Sequence, residues 1–194
     1  MSSRNLCKLY KKISNEKESV VHEHRSVSLS IYKKRIITTL ITIKQWDVLA
    51  QVIMEKPDCA AKCVQVIEHG HRISRLPIHE VCRHKPPLEL IRILVSAHPI
   101  SLLMKDDHNG STALHFACRF GASEEVIEYL LRKYPDAANV EDKYECVPVT
   151  LARRGSYKHK YVIVKLFDRL YLDEDEKQLC AGTRRHNSLG ARTA

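Results

Sequence analysis

The stretch Leu76-Pro77-Ile78-His79-Glu80-Val81-Cys82-Arg83 returns 36 residues later as Thr112-Ala113-Leu114-His115-Phe116-Ala117-Cys118-Arg119. A weaker third copy, Pro148-Val149-Thr150-Leu151-Ala152-Arg153-Arg154, lies 35 residues beyond the second. Repetition at such a spacing constrains a chain more than local propensity does, because each copy is one small unit whose apolar side must be covered by its neighbours. Downstream of each copy runs an apolar stripe at helical spacing: Leu90, Ile91, Leu94 and Val95, then Val126, Ile127, Leu130 and Leu131, then Val162, Ile163, Leu166 and Phe167. The stripes stay 36 apart, so the one-residue slip of the third copy falls in the turn near Gly155. Pro99 and Pro135 follow the first two stripes at equal offset and stop those helices, since proline lacks the amide a continuing helix needs.

The unit that results is a short helix, a tight turn, a longer amphipathic helix and a connecting segment. Asp107 to Ser111 forms the tip of that segment, where Asn109-Gly110 supplies the positive φ angles of a hairpin turn. Upstream, Trp46 to Lys56 carries Val48, Leu49, Val52 and Ile53 on one side and stops at Pro57, as the second helix of an earlier unit. Ile31 to Ile43 is expected to be its first helix. Its isoleucines and threonines suit a strand by propensity, but Ile36, Ile37, Leu40 and Ile41 keep near-helical spacing. The expected fold class is all-α, a helix-turn-helix repeat solenoid of about four units.

These residues resemble the ankyrin repeat, whose pattern runs Asp-x-x-Gly-x-Thr-Pro-Leu-His-x-Ala. Asp107, Gly110, Thr112, Leu114, His115 and Ala117 match it, with Ala113 where proline is usual. The copy before keeps Pro77 and His79 but has Ser74 for the glycine; the copy after keeps Pro148, with Glu145 for the glycine and Thr150 for the histidine. The period exceeds the common repeat of about 33 residues and resembles a divergent subgroup found in algal proteomes. The resemblance spans roughly residues 31–171. The expected organisation is a basic polar tail over 1–26, mostly disordered, a repeat domain over 27–172 and a polar C-terminal tail over 173–194. Units are expected near 31–74, 75–110, 111–146 and 147–172.

The net charge of +9 is unevenly spread: residues 1–45 hold 10 basic and 3 acidic groups, 46–113 hold 8 of each, and 114–148 hold 4 and 7. A phosphate-neutralising groove needs its cations together, so nucleic-acid binding is expected only as an alternative, through the two basic tails. The longest apolar stretch is far short of the roughly 20 residues a spanning helix needs. Seven cysteines behind no secretory signal imply reduced thiols and an intracellular site of action, cytoplasmic with the nucleus as a second possibility. Leu6, Leu9, Tyr10 and Ile13 among lysines make a short basic amphipathic pattern, read as a solvated tail.

His79-x-x-Cys82-x-His84, His115-x-x-Cys118 and Cys59-x3-Cys63 have spacings a zinc site uses. The His-x-x-Cys spacing recurs with the repeat, however, whereas an active site needs one unique constellation. Neither a metal, a cofactor nor catalysis is expected. The resemblance implies that His79 and His115 bond between neighbouring turns, while Pro77, Asp107, Gly110, Thr112, Leu114 and Pro148 serve the framework. It also implies that Arg83, Arg119 and Arg154 form a column on the concave face, with His84 and Phe120 beside it. His108, Asn109 and Ser111 would be contact residues at the tip. The function implied is protein–protein interaction by a monomeric scaffold or adaptor. For the column two readings stand: the planar fork of arginine suits an acidic or phosphorylated segment of a partner, or each arginine pairs with an acidic side chain of an adjoining unit and serves the stack.

Overall fold

The computed structural model describes residues 36–68 and 70–170; both tails and the amphipathic pattern at Leu6 to Ile13 lie outside the described residues. Helices come in pairs: α1 (36–42) with α2 (Trp46–Glu55), α3 (Pro77–Arg83) with α4 (Leu88–Ala97), α5 (Ala113–Phe120) with α6 (Glu124–Lys133), and α7 (Pro148–Arg154) with α8 (160–170). Of the expected helix Ile31 to Ile43, residues 36–42 are helical, and 31–35 fall outside the description. The short helices α3, α5 and α7 pack side by side, as do the longer α2, α4 and α6.

Local sequence sets the helix ends. Pro77 and Pro148 stand at the first position of α3 and α7, where the missing amide costs nothing. The longer helices α2, α4 and α6 end alike, at Lys56, His98 and Tyr134, with φ between -140 and -148 and ψ between 80 and 83. Each of these residues precedes a proline, which excludes the helical region for it. A single 3-10 turn follows every time, at Pro57–Ala61, Pro99–Leu102 and Pro135–Asn139.

The stripes form one core. Leu49, Val52 and Ile53, the four residues of α4 and the four of α6 are all buried, and each such side chain contributes about 1.5–3 kcal/mol. In α8, Ile163, Leu166 and Phe167 are buried, but Val162 is 43 % exposed. That expected core residue lies on the surface of the last described helix, which no later described helix covers.

The chain is mostly helical and not all-α. Val64–Glu68 (β1) pairs antiparallel with His71–Arg75 (β2), in the register Val64↔Arg75, Val66↔Ile73 and Glu68↔His71. Val64, Val66, Ile73 and Arg75 alternate inward, and Gly70 turns the chain at φ +81. Strands of five residues offered too short an alternation to compete with the helical stripes around them. Where a hairpin was expected, at Asp107 to Ser111, the chain makes a turn without strands; Gly110 has positive φ and Asn109 does not.

Candidate partner-binding surface

The tips are built on buried aspartates. The Asp106 carboxylate, 3 % exposed, accepts bonds from the amides of Asn109 (3.3 Å) and Ser111 (2.7 Å). Asp142, 36 residues on, accepts from Tyr144 N at 2.8 Å and Cys146 N at 3.0 Å. Asp106, rather than the expected Asp107, therefore closes the turn. Asp107 is exposed, and its carbonyl receives Lys143 Nζ. Lys143 also donates from Nζ to His108 O at 3.0 Å and from its amide to Asn109 O at 2.8 Å. Lys105 Nζ reaches Glu141 O at 2.8 Å. Successive tips are thus tied to each other through main-chain carbonyls.

Of the tip residues expected to meet a partner, His108 is exposed and Asn109 half-buried. Ser111 is buried, because its amide and carbonyl close the turn with Asp106, so its side chain is not presented at the surface. Exposed apolar side chains that sequence reasoning missed stand on the same connecting segments: Ile67 on the β1–β2 hairpin, then Leu103 and Met104, then Tyr144.

Below the tips, the histidines join one unit to the next. Thr112 precedes α5 and holds His115 Nδ1 as an acceptor, from its hydroxyl at 2.9 Å and its amide at 3.2 Å. The other nitrogen, Nε2, donates to Cys146 O at 3.0 Å. Burial lowers the pKa of His115, keeping the ring neutral. His79 Nε2 likewise donates to Met104 O at 3.0 Å, and its ring stacks on Phe116. Leu76 stands where Thr112 does in the next copy, so His79 Nδ1 has no partner among the described residues. Burial drives its pKa down to about 4. Leu114 is buried in the core. The thiols of Cys82 and Cys118 are fully enclosed; burial pushes Cys82 up to about 12 and raises Cys118 as well. Both therefore stay protonated, which suits neither a nucleophile nor a metal ligand.

The three arginines expected as a column differ in their surroundings. Arg83 pairs with Glu68 Oε1 at 3.1 Å and lies 5.1 Å over the Phe120 ring, while His84 donates to Glu80 Oε1 at 3.1 Å. Behind them Arg75, unremarked in the sequence, is fully buried. It pairs with Glu68 at 2.7 Å and Glu80 at 3.1 Å and covers Phe116. Arg75 occupies the repeat position of Ser111, and that exchange of a small residue for a cation was the signal available. Arg119 is exposed and makes no ion pair among the described residues. Arg154 is exposed and donates to Cys146 Sγ at 3.3 Å.

The loop between α7 and α8 is anchored differently from the others. After the other short helices the chain turns through a left-handed residue, Lys44, Lys85 or Gly121; here Gly155 has φ -63, and Tyr157 folds back instead. Its hydroxyl donates to Cys118 O at 2.7 Å, its ring covers Gly121 and Gly155, and His159 Nε2 donates to Ala122 O at 3.0 Å. The slip seen near Gly155 makes room for this tyrosine.

Residues 78–131 match the family model of ankyrin repeats (many copies). No curated protein matches the chain. Among the described residues, no helix is long and apolar enough to cross a membrane.

Proposed function

We propose, from the premise that the chain is an ankyrin-repeat protein, that it is a non-catalytic protein-binding module, a monomeric scaffold or adaptor. In this reading about four units stack as a solenoid, and it works in the cytoplasm or the nucleus. Ankyrin repeats generally mediate protein–protein interaction. The observation that carries the reading here is the fastening of the tips: the ammonium groups of Lys143 and Lys105 bond main-chain carbonyls of the adjoining connection, leaving the side chains of His108, Tyr144 and Met104 exposed on a fixed frame. A preformed surface loses little conformational freedom on binding.

The test is chemical crosslinking of the full chain in cell extract beside the His108→Ala/Tyr144→Ala variant. The expected result is a reproducible set of crosslinked proteins that the variant loses while its melting temperature is unchanged. An unchanged set overturns the tip surface as the contact. Nucleic acid recovered in place of protein, released by salt and by removal of residues 1–26 and 173–194, favours the alternative of binding by basic tails.

A further inference from the structure

Between Cys146 and Phe167 the chain has no acidic residue, yet it carries Arg153, Arg154, Lys158, Lys160 and Lys165. None of the five makes an ion pair among the described residues, whereas Arg75, Arg83 and Arg132 are each neutralised by a glutamate. Tyr157 and His159, on either side of Lys158, are bonded to the carbonyls of Cys118 and Ala122, which flank Arg119 and Phe120. The anchored loop therefore brings Lys158 to the end of α5 that bears Arg119, and α7, which ends in Arg153 and Arg154, packs along α5.

We infer that Arg119, Arg153, Arg154 and Lys158 form one anion-recognising face, and that its occupant is a short Asp/Glu-rich segment of a partner protein. This rests on the protein-binding reading above and narrows it: Arg83, already paired with Glu68, takes no part. Charge complementarity selects an acidic ligand, and the surroundings select a short one. Exposed Glu125 stands in the first turn of α6, the helix that follows Arg119, and exposed Glu141 and Glu145 stand on the connection that leads into α7. A long polyanion such as RNA would run onto those acidic positions on the neighbouring segments and be repelled, whereas a short acidic segment need not extend to them. Among the described residues none of these guanidiniums is in an ion pair, and Arg154 bonds only the neutral sulfur of Cys146, so no salt bridge there has to break before they engage.

The experiment measures binding of a fluorescent dodecapeptide of alternating Asp and Glu to the full chain by anisotropy, at two salt concentrations. Comparison ligands are a phosphoserine peptide and a single-stranded oligonucleotide of equal charge. The expected result is salt-sensitive binding of the Asp/Glu peptide that weakens at least about tenfold in Arg119→Glu/Arg154→Glu and in the milder Arg119→Gln/Arg154→Gln. Melting temperatures should be unchanged in the Gln pair. Peptide binding that neither pair alters places the contact elsewhere and overturns the face. Tighter binding of the phosphopeptide or the oligonucleotide, lost in the same variants, overturns the carboxylate occupant. If crosslinked partners depend on His108 and Tyr144 but not on these arginines, the face fails while the protein-binding reading stands.

Discussion

At the scale of single residues, His79 shows how one substitution within a repeat alters a whole balance. Its counterpart His115 has Thr112 to satisfy Nδ1; His79 has Leu76 and only the bond to Met104. With a pKa of about 4 when folded and 6.5 as its ordinary value, the ring is neutral in the native protein while the unfolded chain takes up a proton below about 6.5. Stability is therefore fully present above that pH and falls as pH drops through the window towards 4, by up to about 3 kcal/mol at roughly 1.4 kcal/mol per unit. His115, also lowered by burial, acts in the same direction. Thermal melts across this window should show a shallower decline for His79→Gln, whose amide can still donate to Met104 O; an equal decline removes His79 as the cause.

At the scale of elements, the loop after α7 depends on a glycine in the unit before it. Gly121 has φ +67, and a Cβ there would stand 2.5 Å from the Tyr157 ring. Gly121→Ala is expected to destabilise by more than about 2 kcal/mol from backbone strain and overlap together. Tyr157→Phe, losing one hydrogen bond, should cost about 1 kcal/mol. Denaturant titration measures both, and combining Gly121→Ala with Tyr157→Ala should recover part of the loss, because the two changes share a contact.

This contact also marks where sequence reading stopped. The helices were legible because Leu90, Ile91, Leu94 and Val95 recur at helical spacing, and their ends because prolines follow Lys56, His98 and Tyr134. The one-residue slip was visible at Gly155; the tyrosine that fills it was not, since its partners are the carbonyl of Cys118 and the bare face of Gly121, which leave no mark in composition. Arg75 was hidden for a related reason: an isolated arginine gives no sign of burial until the carboxylates of Glu68 and Glu80 are brought to it across a hairpin. Asp106 and Asp107 are adjacent in the chain, and only the folded turn distinguishes the one that accepts its amides.

At the scale of the molecule, helices pack mainly against the corresponding helices of the neighbouring pairs. Damage at one end should therefore remain local. Leu166 is 2 % exposed, and Leu166→Ala is expected to cost about 2–5 kcal/mol. Amide hydrogen exchange should then show α7 and α8 losing protection while α2, α3 and α4 retain theirs; uniform loss along the chain would mean that the pairs unfold as one unit.

The lysine ties between connecting segments carry a further consequence. Lys143 grips Asp107 and His108 by their carbonyls, groups that every amino acid supplies. Residues at those positions can be exchanged wholesale without loosening the clasp, so the outward side chains of the tip are free to be rewritten while the skeleton beneath is left untouched.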